Sequence, residues 1–191
     1  QLSNHDHSRF MTRTNRTVGR IATAGPEAAE KGINPGLFRL GVLMQMTWPG
    51  APTLYYGDEA GVTGWTDPDN RRTYPWGSED KGLIEFRAAH KALRYGSATK
   101  VADNVQTYSA SGNLIVMRVD GNGAGDDDIF VIFNAHTTAQ TVQLPAGEWT
   151  ININDQKAGT ESLGTATGSV SVPAISAMVL TRGEAHRCYD L

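Results

Sequence analysis

Pro49-Gly50-Ala51-Pro52-Thr53-Leu54-Tyr55-Tyr56-Gly57-Asp58-Glu59 is the stretch on which the reading of the fold turns. Pro-Gly stops the helix that precedes it. Ala51 to Tyr56 is then a short apolar run, closed by Gly57-Asp58-Glu59, and it reads as a buried strand ending in polar side chains. Upstream, Asn34 is an N-cap with Pro35 at the first helical position, and Leu37, Leu40, Met44 and Trp48 recur at helical spacing. Downstream, a long polar loop (residues 61–77) leads to a second helix from about Lys81 to Tyr95, with Leu83, Phe86, His90 and Leu93 along one side. Helix, strand, loop and helix in that order predict part of a parallel α/β sheet. Only one complete strand is visible here, and a parallel strand needs partners, so the rest of the sheet is expected upstream of Gln1.

Composition shifts near Tyr95-Gly96, which predicts a boundary between residues 1–96 and 97–182, with 183–191 as a tail. The first half carries 12 Lys+Arg against 10 Asp+Glu and ten of the fifteen aromatics, whereas the second carries 5 against 10. In the second half Trp149, Ile151 and Ile153 alternate with Thr150, Asn152 and Asn154, and Val170 and Val172 repeat the period of two. Leu114 to Val119 and Ile129 to Phe133 are apolar on both faces, as strands buried between two layers would be. Short strands joined by Gly-, Asn- and Asp-rich turns predict an antiparallel β-sandwich of about seven or eight strands. The glycine-rich patch 121–125 with Asp126, Asp127 and Asp128 reads as a solvated loop, because no Glu closes a calcium loop at the required spacing. The expected fold class is therefore α/β followed by all-β.

The whole chain narrows the function classes. Its 191 residues, 39% of them hydrophobic, suit one or two small globular domains. A net charge of −3 leaves no basic footprint for nucleic acid, and no run approaches the roughly 20 apolar residues of a membrane span. A lone Cys188 rules out an internal disulfide framework and a multi-cysteine zinc site, and fits a bacterial cytoplasmic protein or a secreted one equally. The start at Gln1, inside what reads as the end of an element, marks the chain as an expected fragment.

Three polar clusters hold the candidate chemistry: Asn4-His5-Asp6 with Arg9; Tyr55-Tyr56-Gly57-Asp58-Glu59; and Asp67-Pro68-Asp69-Asn70-Arg71-Arg72 with Trp65, Tyr74 and Trp76 around it. The second follows an apolar run, and loops after strand ends build the active sites of β/α barrels. His5 and His7 share a face if extended, but two imidazoles without a third ligand do not make a zinc site, so no metal is expected. Asp58 and Glu59 read as a helix cap or ion-pair partners rather than catalysts. Arg71 and Arg72 suit a solvated loop face. The aromatic rings suit either a local cluster or the C–H faces of a sugar.

Taken together, Asn4-His5-Asp6-x-x-Arg9, the helix, residues 49–59, Asp67-Pro68-x-x-Arg71 and Pro75-Trp76 resemble, in order and spacing, the α-amylase superfamily of glycoside hydrolases. The likeness is to its neopullulanase, cyclomaltodextrinase and maltogenic amylase group. It is carried by residues 1–96; the second half is similar to the family's C-terminal β-sandwich in length, position and strand pattern. The resemblance implies an eight-stranded β/α (TIM) barrel, of which Gln1-Leu2-Ser3 would end strand seven and Ala51 to Tyr56 would form strand eight, so that the chain holds about the last quarter.

The reaction so implied is retaining hydrolysis of α-glucosidic bonds in starch, maltodextrin, cyclodextrin or pullulan, without a cofactor. By motif position Asp6 corresponds to the carboxylate that stabilises the transition state, and His5 to a group that binds hydroxyls of the same sugar. Asn4 and Arg9 accompany them as substrate-binding candidates, and Asp67 and Arg71 match a pair that binds the non-reducing side of an α-glucan or maltooligosaccharide. The family's nucleophile and acid/base belong to strands four and five, outside this chain, so the 191 residues are expected to be inactive alone. Part of a barrel leaves sheet edges uncovered, which predicts homo-oligomerisation or pairing with the missing part. Two alternatives stay open: a non-catalytic carbohydrate-binding or interaction module using the loop from Trp65 to Trp76, and a fragment of a transglycosylase or isomerase of the same superfamily.

Overall fold

The computed structural model describes residues 1–93, 105–119 and 128–183. The expected boundary at Tyr95-Gly96, the glycine-aspartate patch up to Asp127, Cys188 and all of the tail except Gly183 lie outside them. The chain divides into two compact units, Gln1–Gln45 with Pro52–Lys81, and Met46–Ala51 with Gly82–Leu191.

The first unit consists of helices and loops. α1 (Phe10–Arg13) and α2 (Ile21–Ala24) are single turns, followed by a 3₁₀ turn over Pro26–Glu30. α3 (Pro35–Thr47) starts where the sequence places it: the Asn34 side chain accepts the Leu37 N–H at 3.0 Å, with Pro35 at the first position. Its buried face is not the expected one. Phe38, Val42, Leu43 and Met46 are buried, whereas Leu37, Leu40 and Met44 are half-buried and Trp48 is exposed. The helix is apolar on nearly every side, so spacing fixes that it is a helix but not which stripe turns inward. Gly41 sits on α3 because the Phe10 ring lies where a Cβ would be, 2.4 Å away, while Phe10 and Phe38 pack with ring centres 5.7 Å apart.

The expected strand Ala51 to Tyr56 does not form, nor does one at Gln1-Leu2-Ser3. Every strand among the described residues belongs to one sheet that begins at Val105, so the first half builds no barrel segment of its own. The reason is the one that placed the run in a parallel sheet: an extended segment becomes a strand only when neighbours take up its N–H and C=O groups. Two further 3₁₀ turns, Asp58–Ala60 and Asp69–Arg71, carry the polar clusters.

In the second unit, α4 (Gly82–Ala89) and a 3₁₀ turn over Lys91–Leu93 occupy the place of the expected second helix, with Phe86, His90 and Leu93 buried as its spacing requires. Six antiparallel strands follow: β1 (Val105–Ser111), β2 (Leu114–Val119), β3 (Asp128–Asn134), β4 (Gln140–Ile153), β5 (Thr165–Val172) and β6 (Ser176–Arg182). They form one hydrogen-bonded sheet in the order β1-β2-β3-β6-β4-β5, which corrects the expected seven or eight strands to six among the described residues. The sheet still builds a layered core. Val116, Phe130, Ile132, Met178 and Leu180 of the central strands cluster with Val142, Leu144 and Trp149 of β4 and Val172 of β5. β4 reaches both partners because its pairing with β5 shifts register between Gln143 and Glu148, where Pro145 has no N–H to donate and Gly147 adopts φ +110°.

Met117, Val119, Ile129, Val131 and Val179 are also buried, so the central strands are covered on both faces, as their unbroken apolar runs indicate. Asn152, expected to alternate outward, is buried; its oxygen accepts the Thr181 hydroxyl at 2.7 Å and its nitrogen donates to the Thr160 and Glu161 carbonyls. Among the described residues no helix is long and apolar enough to cross a membrane.

Candidate functional site

All six candidate residues belong to the first unit, but they divide into an exposed group and a buried one. Asn4 starts the exposed group with an Asx-type turn: its Oδ1 accepts the N–H groups of Asp6 at 2.9 Å and His7 at 3.0 Å. That turn takes up two of the loop's backbone donors, and His5 and Asp6 stand largely in solvent, with His5 Nε2 3.3 Å from Asp6 Oδ1. Asp67 and Arg71, four residues apart, pair at 2.5 Å between Arg71 Nε and Asp67 Oδ1, and both are about half exposed. The Arg71 guanidinium is held above its ordinary pKa, first by the hydrogen bond and charge of Asp67 and then, more weakly, by Tyr55 and Asp6. Asp67, Tyr55 and Asp6 thus all act on the charge of Arg71, although 65 residues of sequence separate Asp6 from Arg71. A carboxylate, an imidazole, a second carboxylate and a forked guanidinium, all solvent-facing, form the donor and acceptor set that binds vicinal hydroxyls.

Arg9 does not join them. It is fully buried, and the expectation that it binds substrate meets a side chain already occupied by the protein. Its Nε donates to the Asn70 carbonyl at 2.8 Å, its Nη1 donates to the Tyr56 carbonyl and lies 3.6 Å from Asp58 Oδ1, and its guanidinium stacks over the rings of Tyr55 and Tyr56 at 4.2 and 4.6 Å. Asp58 is buried too and accepts the Ser3 hydroxyl at 2.8 Å. Burial pushes its carboxyl pKa up, and Ser3 and Arg9 counter only part of that. Asp58 is thus an ion-pair partner, in agreement with its reading from sequence.

Arg72 is a cross-link, not the solvated group its position suggested. It takes Asp69 in a two-pronged grip at 3.0 Å on each oxygen, and also donates to Glu30, Thr63 and the Pro26 carbonyl. Asp69 in turn accepts the Trp65 N–H at 2.8 Å. The aromatic loop splits the same way: Trp65 is buried with its indole N–H on the Gly25 carbonyl, whereas Trp76 is exposed and packs against Tyr74 at 4.8 Å. Among the described residues no group of three or more His, Cys, Asp or Glu side chains could hold a metal ion.

Two residues escape the sequence reading. The Tyr55 ring stacks on the buried Arg9 guanidinium at 4.2 Å, and the Asn70 side chain donates to the carbonyls of the loop that carries Asp6. The available signal was their place inside the two clusters that hold the candidates.

Comparison with known proteins shows the family. Residues 101–157 match the family model of the pullulanase all-beta domain. Over 197 aligned residues the chain is 30% identical to an amylopullulanase of Thermoanaerobacterium saccharolyticum, an alignment that covers 94% of this chain and 15% of that protein. It is 34% identical over 151 residues to neopullulanase 2 of Thermoactinomyces vulgaris, covering 77% of this chain and 22% of that one. A pullulanase from Bacillus acidopullulyticus superposes with a TM-score of 0.70 at 25% identity, over 94% of this chain and 23% of that structure. The chain therefore spans less than a quarter of the length of each of these relatives. With motifs, alignment and sheet domain in agreement, the chain belongs to the α-amylase superfamily, and it corresponds to a C-terminal region of the pullulanase- and neopullulanase-like members.

Proposed function

We propose that these residues form the C-terminal part of an α-glucan-cleaving enzyme: residues 1–96 the end of its catalytic β/α barrel, residues 97–182 an antiparallel domain, and 183–191 a tail. In this reading Ala51 to Tyr56 becomes a strand when the rest of the barrel lies beside it. Asp6 is the carboxylate that faces the anomeric centre as positive charge develops there. A fixed negative charge gains more from that transition state than from the neutral ground state, so it accelerates bond cleavage rather than merely tightening binding. His5, beside Asp6, donates to a hydroxyl of the same sugar, and Asn4 holds the turn that presents both. Asp67 and Arg71 take the next sugar toward the non-reducing end, Arg71 donating through its fork and Asp67 accepting. The nucleophile and acid/base come from outside these residues. Arg9 supports the site from below without touching sugar.

The observation that carries the reading is that Asn70, on the turn between Asp67 and Arg72, donates to the carbonyls of Asn4, His5 and His7, so that the exposed Asp6 and the exposed Asp67–Arg71 pair stand on adjoining loops. Replacing Arg71 by Ala in the full-length protein removes charge-assisted hydrogen bonds made to bound sugar. KM for maltooligosaccharides should rise about tenfold or more, with kcat changed much less. An unchanged KM would contradict the assignment of Arg71.

A further inference from the structure

We infer that Asn70 is a positioning residue that sets the location of Asp6; the inference rests on the catalytic reading of Asp6 given above. Asn70 is fully buried on the 3₁₀ turn between Asp67 and Arg72. Its Nδ2 donates to three carbonyls of one loop: Asn4 at 3.3 Å, His5 at 2.8 Å and His7 at 3.0 Å. Three acceptors around one terminal atom fix that atom as the NH₂ group, whose two hydrogens are shared among them. With the Asn4 side chain accepting the N–H groups of Asp6 and His7, two donors and three acceptors of the loop's backbone are tied down. The side chains of His5, Asp6 and His7 are left exposed.

Asn70 is itself held in place through its backbone. Its main-chain carbonyl accepts Arg9 Nε at 2.8 Å, and the Arg9 main-chain N–H donates to the Gly64 carbonyl at 2.9 Å. Gly64 packs so closely on this turn that a Cβ there would lie 2.5 Å from the Asp69 carbonyl oxygen. The buried Arg9 and the backbone at Gly64 therefore fix where Asn70 sits, and Asn70 fixes where the Asp6 loop sits. The same turn carries Arg71 and follows Asp67 by two residues, so one buried amide holds the two parts of the sugar-facing surface in register. A binding group on a loop is only as well placed as its support, and small displacements of a catalytic group are costly in rate.

The test compares three variants of the full-length protein on soluble starch and pullulan, with kcat expressed per folded molecule from circular dichroism and thermal midpoints. Asn70→Ala removes all three hydrogen bonds and should lower kcat about tenfold or more while moving KM less than about threefold, because Asp6 is displaced while the groups that bind neighbouring sugars remain. Asn70→Ser keeps one donor and should recover part of the lost kcat. Asp6→Asn serves as the reference for complete loss. If Asn70→Ala keeps kcat within about twofold of the parent while Asp6→Asn abolishes turnover, the positioning role is wrong and the catalytic reading stands. A change confined to KM, or no recovery by Ser, overturns it equally. Should Asn70→Ala not fold, Asn70→Ser decides alone: a several-fold lower kcat supports the role and an unchanged one refutes it. If Asp6→Asn itself keeps turnover, the catalytic reading falls and the positioning role with it.

Discussion

The two units of this chain differ in what dominates their buried side chains. The second is an apolar structure: Val116, Phe130, Ile132, Val142, Leu144, Trp149, Val172, Met178 and Leu180 cluster within a six-stranded sheet. The first has little regular structure, and charged and amide side chains are buried at its centre, with Arg9, Asp58, Asp69 and Asn70 all 6% exposed or less. Apolar area is forgiving, since each lost methyl subtracts a small increment. Buried charge is not, because removing one partner strands the other in a medium that solvates it poorly. The unit that carries the exposed polar loops is thus the one built from directional contacts.

Breaking the polar centre should have the largest effect. Arg9→Met leaves Asp58 buried without its cation and frees the Asn70 and Tyr56 carbonyls, and should destabilise the first unit by about 3–5 kcal/mol. Hydrogen exchange resolved by peptide reads this directly: protection should drop in residues 1–81 and hold in β2, β3 and β6. Ile132→Val, which trims one methylene at the centre of the sheet, should cost about 1 kcal/mol by urea denaturation. Equal losses from the two substitutions would erase the contrast.

A smaller effect tests the electrostatics by sign. The Asp58 pKa is raised on folding above its ordinary 3.8, so the folded state binds the proton more tightly than the unfolded one. The stability contributed by that proton is fully present below the ordinary value and is lost as pH rises through the raised one. Asp58→Asn lacks this dependence, so the stability of the parent relative to the variant should decline with rising pH across that window, as followed by urea midpoints in a pH series. A relative stability that grows with pH would mean that Arg9 and Ser3 outweigh burial.

How much of this was legible depended on how local each cause is. Asn34-Pro35 announced α3 because capping is settled within four residues, and β2 matched its apolar run residue for residue. The buried face of α3 was not legible, since Leu37 and Phe38 are equally apolar and the choice between them depends on what packs there. Ala51 to Tyr56 reads as a strand, but a strand needs neighbours to take up its hydrogen bonds, and apolar character within a segment does not reveal whether they are there. The candidates Asn4, His5, Asp6, Asp67 and Arg71 were named from motif order, and all but the half-buried Asn4 are exposed. Arg9 was misplaced because an arginine beside a polar motif looks like a ligand-binding group, and only partners 47 to 61 residues on show it to be buried. Asn70 was invisible for the same reason: its three acceptors lie at residues 4, 5 and 7, and nothing about an asparagine between Asp69 and Arg71 foretells them.

The most direct test of the central claim is the turnover of Asp6→Asn in the full-length protein, alongside the 191-residue chain assayed alone on starch. The substitution keeps size and hydrogen bonding but removes the charge, so kcat should fall by about two orders of magnitude or more with the thermal midpoint unchanged, and the isolated chain should release no sugar. Turnover retained in the variant, or starch degraded by the isolated chain, would contradict the account.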